Sequence, residues 1–206
     1  MARLGMLIDL RTCIGCHACS VACKAEFDVP LGNFRDTVKY VEEGAYPKVT
    51  RHFIPVLCNH CEDAPCLNAC PTGAVVRLDD GQVTIEDGDC NLNRACMAAC
   101  PYDAIYVDED RGTAAKCTFC DHRTAEGRQP ACVDACPTNC RVFGDLDDPG
   151  SEISRRASAA DDVTVWKEDE GTRPRVLYID PKSALPLIAD QGVQVDTTAD
   201  LSGEPS

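Results

Sequence analysis

Apolar and polar positions alternate in short blocks along this chain, and nearly every apolar block runs into a set of cysteines. Leu4 to Leu10 is an apolar run of β tendency that predicts a strand ending at a first cysteine group. Ala18 to Ala25 predicts a short helix just after it. The same order of strand, cysteine loop and short helix returns around three later groups. Thr50 to Leu57 leads into the second, Gln82 to Glu86 into the third, and Ala104 to Val107, followed by a polar turn, into the fourth. Val75-Val76-Arg77-Leu78 and Gln82-Val83-Thr84-Ile85 flank Asp79-Asp80-Gly81, which predicts a β-hairpin turning at Asp-Gly. Cysteine spacing carries the internal repeat, with little other similarity between the units.

After Leu146 the pattern changes. Residues 147–206 are rich in Asp, Ser, Gly and Pro, and contain no cysteine. One strand is expected at Arg175 to Ile179; the rest is expected to be an acidic, loop-rich extension that hugs the surface, is partly flexible and frays towards Ser206.

Composition changes this picture at one residue type. A hydrophobic content of 44% is ordinary for a globular protein, but sixteen cysteines in 206 residues are not. The first nine residues are broken by Arg3 and Asp9, so they do not read as a secretory signal, and a small secreted disulfide scaffold is not expected. No stretch approaches the roughly 18 to 20 apolar residues of a spanning helix, so membrane association is expected through a partner. A net charge of −14 would repel nucleic acid and anionic lipid alike. The chain carries no P-loop and no Gly-x-Gly-x-x-Gly, and its Asp and Glu read as a solvated surface, so no catalytic residue is expected.

The cysteines therefore carry the chemistry. The first group, Cys13-x2-Cys16-x2-Cys19-x3-Cys23, matches the bacterial ferredoxin run, with Lys24 where a proline is usual. In that run three close thiolates wrap one cubane, while the fourth points to a different cluster, so no group completes its own cluster. The second group, Cys58-x2-Cys61-x4-Cys66-x3-Cys70-Pro71, and the fourth, Cys117-x2-Cys120-x11-Cys132-x3-Cys136-Pro137, carry insertions but keep the terminal tail. The third runs from Cys90 through Cys96 to Cys100-Pro101, with Asn93 where its second cysteine belongs. Cys140 stands outside the groups and reads as a small buried residue or spare thiol, with a substitute ligand as the other possibility.

Two other readings of these cysteines compete. Cysteine pairs also build structural zinc sites, so a zinc-binding interaction module is the rival of another class; the x3-Cys-Pro tail at three groups argues against it. Cys13-Ile14-Gly15-Cys16-His17 matches the haem signature C-x-x-C-H, but Cys19 and Cys23 continue the ferredoxin spacing past it. His17, His52, His60 and His122 read as loop or cluster-neighbour residues rather than ligands.

Over about residues 4 to 150 the chain resembles the four-cluster iron-sulfur subunits of molybdopterin oxidoreductases, the dimethyl sulfoxide, polysulfide, tetrathionate and sulfite enzymes among them. The resemblance rests on the four groups together with Pro55-Val56-Leu57-Cys58-Asn59-His60-Cys61, Met97-Ala98-Ala99-Cys100-Pro101-Tyr102 and Phe143-Gly144-Asp145-Leu146. It implies an α+β fold of two ferredoxin-like modules, one inserted in the other. Residues 1–50 plus 104–146 would form the outer module, residues 51–103 the inserted one, and residues 147–206 the extension.

Carried over, the resemblance implies one cluster on Cys13, Cys16, Cys19 and Cys136, and a second on Cys117, Cys120, Cys132 and Cys23. A third would take Cys58, Cys61, Cys66 and Cys100. The fourth keeps only Cys70, Cys90 and Cys96, with Asn93 at the vacant corner; a neutral amide is a poor ligand for iron that favours sulfur. The expected cofactors are thus three 4Fe-4S clusters and one 3Fe-4S cluster. The alternative is four 4Fe-4S clusters, with water, hydroxide, Asn93 or Cys140 on the labile iron.

The resemblance further implies a non-catalytic electron-transfer subunit, placed between a molybdopterin-containing catalytic subunit and an integral-membrane quinone-reactive subunit. Its place is then peripheral to a membrane through those partners, on a side left open, with co-export alongside the catalytic subunit the preferred reading. A polyferredoxin-type subunit of a hydrogenase or formate dehydrogenase is the alternative within electron transfer.

Overall fold

The computed structural model describes residues 2–180, 182 and 184–190. In chain order the elements are β1 (Leu4–Asp9), α1 (Ala18–Phe27), β2 (Asp36–Ala45), β3 (Lys48–Leu57), α2 (Pro65–Ala69), β4 (Val75–Arg77) and β5 (Val83–Ile85). Then follow α3 (Ala95–Ala98), β6 (Ile105–Asp108), β7 (Thr113–Lys116), α4 (Asp121–Thr124), α5 (Ala131–Asp134), β8 (Arg141–Asp145), α6 (Glu152–Ser158), β9 (Val163–Thr164), β10 (Val176–Ile179) and α7 (Ala184–Asp190). The architecture is α+β. Among the described residues no helix is long and apolar enough to cross a membrane.

A four-stranded sheet in the order β8-β1-β10-β9 joins the two ends of the chain. β1 pairs antiparallel with β8, Met6 opposite Phe143, and parallel with β10, Met6 opposite Val176. Both faces of β1 are covered, which explains its continuous apolar run. Met6, Ile8, Val176 and Tyr178 point into the large core that also holds most of the buried cysteines. Leu7, Val142 and Ile179 point the other way, onto Ile153 of α6. The remaining sheets are the hairpins β2-β3, β4-β5 and β6-β7. The hairpin expected around Asp79-Asp80-Gly81 forms, with Val75 opposite Ile85 and Gly81 at φ +80°.

The expectation of a surface-hugging, loop-rich extension after Leu146 is corrected. The strand expected at Arg175 to Ile179 forms at Val176–Ile179, but inside the sheet: Val176 and Tyr178 are fully buried, and the Tyr178 hydroxyl donates to the Pro55 carbonyl at 2.9 Å. Its side chains are apolar on both faces, and such a strand is stable only between two covered layers. α6 and α7 are further regular elements in the same region. The fraying expected towards Ser206 concerns residues outside those described.

Candidate metal centres

Each cysteine group bends the backbone in the same unusual way. The second residue after the first cysteine is left-handed in all four: Gly15 (φ +67°), His60 (+43°), Leu92 (+55°) and Phe119 (+52°). Three of these carry a Cβ, for which the conformation is uncommon and costly, and such strain persists where the surroundings hold it. At Gly15 only glycine fits, because a Cβ there would run into the Phe53 ring. The first group has a second kink at His17 (+59°), and the third at Arg94 (+64°). Leu92 and Arg94 thus bracket Asn93 just as Gly15 and His17 bracket Cys16. The third loop keeps the shape of a ligand loop although its second cysteine is missing.

Short helices carry the next thiols, Cys19 and Cys23 on α1, Cys66 on α2, Cys96 on α3 and Cys132 on α5, and Cys70, Cys100 and Cys136 follow just beyond the ends of α2, α3 and α5. Packing of α1 on α5 joins the first group to the fourth, and packing of α2 on α3 joins the second to the third.

Four sets of thiols result. Cys13, Cys16, Cys19 and Cys136 line one cavity. Cys23 sits among Cys117, Cys132 and Cys120, whose charges add to burial in pushing its pKa up. Burial pushes Cys66 up to about 12, with Cys58, Cys100 and Cys61 adding to the shift. Burial also raises Cys96, helped by the charges of Cys70 and Cys90. Cys13, Cys16, Cys19 and Cys136 thus share one cavity, and Cys23, Cys66 and Cys96 each have cysteines of another group beside them.

Their electrostatics fit iron-sulfur clusters. Burial lifts Cys19 and Cys117 to about 12, so free thiolates there are costly, whereas a bound metal ion takes the proton's place and its charge. Cys70 is different: against burial, hydrogen bonds from Thr72 and from the backbone at Val75, Thr72 and Ala74 bring it down to about 7. Backbone donors of this kind stabilise a charged sulfur. Among the described residues no three His, Cys, Asp or Glu side chains converge on a single metal ion. In a cubane each thiolate binds its own corner iron, so sulfurs spaced around a shared cavity suffice.

Asn93 is engaged elsewhere. Its Oδ1 accepts the Ala95 backbone N–H at 2.9 Å and its Nδ2 donates to Asn91 Oδ1 at 2.5 Å, so the amide serves the turn into α3. Cys140 is also placed: it lines the first cavity, its Sγ 3.5 Å from Cys136 Sγ, and it hydrogen-bonds Cys13, whose pKa it brings down to about 6. The suggestion that Cys140 serves the labile iron at Asn93 is thereby corrected. The Asp9 N–H donates to the Cys140 carbonyl at 2.7 Å, which fixes Cys140 beside the first group at the start of β8.

Sequence reasoning missed the charged residues between the thiol sets. Asp36 and Arg141 form a fully buried, two-pronged ion pair, Arg141 Nη2 donating to Asp36 Oδ1 at 2.8 Å. Despite burial, the Asp36 charge holds the Arg141 pKa well above its usual value, with Cys132 and Cys19 adding to the effect. The pair thus stands between the first and second sets. Lys116 is 2% exposed and donates to the backbone carbonyls of Val83 and, at 2.9 Å, Cys117. Both Lys116 and Arg141 adjoin a cysteine at the buried end of a strand, and a charge in such a position is the signal that marks them. The histidines are engaged with other side chains: His17, which borders the first cavity, donates from Nε2 to the Tyr40 hydroxyl, which donates to the Gly15 carbonyl, both at 2.7 Å. His52 lies 3.5 Å from Glu43, His122 pairs with Glu26, and His60 stacks on Phe119 at 3.8 Å.

Comparison with known proteins agrees with this chemistry. The family described as a 4Fe-4S dicluster domain matches residues 49–146, and a 4Fe-4S binding domain matches residues 4–25. One tetrathionate reductase subunit, from Salmonella typhimurium, is 42% identical over 180 residues, covering 86% of this chain and 72% of that protein. The arsenate respiratory reductase iron-sulfur subunit of a Shewanella species is 38% identical, covering 86% of this chain and 96% of that protein. The thiosulfate reductase electron transfer subunit of Salmonella typhi is 46% identical over 153 residues, covering 73% of this chain and 79% of that protein. The chain belongs to the 4Fe-4S dicluster family of non-catalytic electron-transfer subunits, alongside those of the tetrathionate, arsenate and thiosulfate reductases.

Proposed function

We propose that this subunit is a four-cluster relay between a molybdopterin-containing catalytic subunit and an integral-membrane quinone-reactive subunit, peripheral to the membrane through those partners. Cys13, Cys16, Cys19 and Cys136 hold the first cluster; Cys117, Cys120, Cys132 and Cys23 the second; Cys58, Cys61, Cys66 and Cys100 the third. Cys70, Cys90 and Cys96 hold the fourth, a 3Fe-4S centre with Asn93 at its vacant corner. The observation that carries this reading is the grouping of thiols from distant parts of the chain into these four sets. The three-iron assignment is supported by the preserved loop at Leu92 and Arg94 and by the hydrogen bonds that occupy Asn93.

The same contacts support a reading of the chain as two nested ferredoxin-like modules. Residues 1–50 with 104–146 make the outer module through β1-β8 and α1-α5, and residues 51–103 the inserted one through α2-α3, with β3 crossing between them. When bound, the clusters supply one-electron redox chemistry at fixed positions. The protein holds them by thiolate, keeps water from the inner pair by burying their ligands, and tunes them with N–H donors and fixed charges.

The test is low-temperature EPR of anaerobically purified protein with iron analysis, before and after dithionite. A three-iron signal in the oxidised sample and cubane signals after reduction are expected. An oxidised sample with no such signal and four reducible cubanes would refute the three-iron centre, and a colourless, zinc-loaded protein would refute the relay.

A further inference from the structure

Lys116 is a buried cation without a carboxylate partner. It is 2% exposed, and among the described residues no Asp or Glu oxygen lies within 4.0 Å of its ammonium group. Its described hydrogen bonds run to two backbone carbonyls, Val83 and Cys117. Carbonyl dipoles solvate an ammonium group, but they do not neutralise its charge, and an uncompensated buried charge is among the costliest features of a folded protein. Arg141, the other cation buried this deeply, has Asp36.

The place of Lys116 is as informative as its isolation. It ends β7 immediately before Cys117, and its contact with Val83 ties it to β5 of the hairpin that follows the second group. The Val83 N–H donates to His60 Nδ1 at 3.1 Å, and the His60 ring stacks on Phe119 at 3.8 Å. His60 and Phe119 are the left-handed residues of the second and fourth groups, so the kinks of the loops around the second and third thiol sets lie face to face here. The Lys116 ammonium is thus bonded to the backbone of Cys117 in one set and, through Val83 and His60, tied to the loop between Cys58 and Cys61 of the other.

We infer that Lys116 is the counter-charge shared by the second and third clusters, a positioning residue that holds both at a higher potential than their burial alone would set. Each cluster with its four thiolates is an anion, and reduction adds one more negative charge. A fixed cation at the junction stabilises the reduced form more than the oxidised form, and it weakens the repulsion between two neighbouring reduced clusters. The inference rests on the ligand sets proposed above.

The experiment is an EPR-monitored redox titration of the whole protein carrying Lys116→Gln, with Lys116→Arg as the conservative variant. Glutamine can still donate to a carbonyl but carries no charge, so it separates charge from hydrogen bonding. In Lys116→Gln the midpoints of two cubane signals should move down while the three-iron signal and the remaining cubane hold theirs, and Lys116→Arg should restore them. Loss of the two inner clusters in Lys116→Gln but not in Lys116→Arg would equally show that the charge is required. Unchanged midpoints in a fully loaded Lys116→Gln protein would overturn the inference, as would loss of clusters in both variants, which marks a packing role. Failure of the ligand sets themselves would show separately, as a wild-type protein without these cubane signals.

Discussion

The Asn93 side chain closes a turn that a cysteine would leave open, with its oxygen on the Ala95 N–H and its amide on Asn91. Because Leu92 and Arg94 already hold the backbone of a ligand loop, restoring the thiol needs no rearrangement of the chain. Asn93→Cys should therefore replace the three-iron EPR signal by that of an additional cubane, with one more iron per chain. The loss of the two side-chain hydrogen bonds costs about 1 kcal/mol each, far less than a metal-ligand set contributes. An unchanged three-iron signal in that variant would place the vacant corner elsewhere.

At the scale of elements, β10 shows what the sequence can and cannot convey. Tyr178 is fully buried, burial pushes its pKa up, and its hydroxyl ties β10 to the end of β3 through Pro55. Tyr178→Phe leaves the Pro55 carbonyl without this donor, so stability should fall by about 1–3 kcal/mol, read as a lower midpoint in chemical denaturation with all clusters retained. The apolar run at Arg175 to Ile179 made the strand legible, as the Asp-Gly turn did for β4-β5. Its partner was not legible, because a parallel neighbour 170 positions away in the register leaves no local mark, and the acidic residues around it resemble a loop. The cysteine groups were legible for the opposite reason: ligand spacing is strict. Lys116, Asp36 and Arg141 were hidden because charged side chains read as surface until burial is known.

At the scale of the whole molecule, burial grades the four thiol sets. The thiols of the second set are all buried, and those of the third are buried except for the half-buried Cys100. The first set reaches the surface at Cys16, and the fourth has Cys70 and Cys90 half-buried. In the proposed relay the more exposed first and fourth sets would exchange electrons with partners, and the buried second and third would carry them between. Mild oxidation in the presence of an iron chelator should strip the first and fourth centres before the second and third, followed as successive loss of their EPR signals; simultaneous loss would contradict this gradient.

The position of β1 between β8 and β10 also sets a timetable for synthesis. The first strand to leave the ribosome finds its neighbours only when residues 141–145 and then 176–179 have been made, so it must wait through most of translation for either. Such distant pairing slows closure of a fold. The cysteines of the second and third groups are all in hand by residue 100, so under the proposed nesting the inserted module would be loaded while the surrounding one is still unfinished.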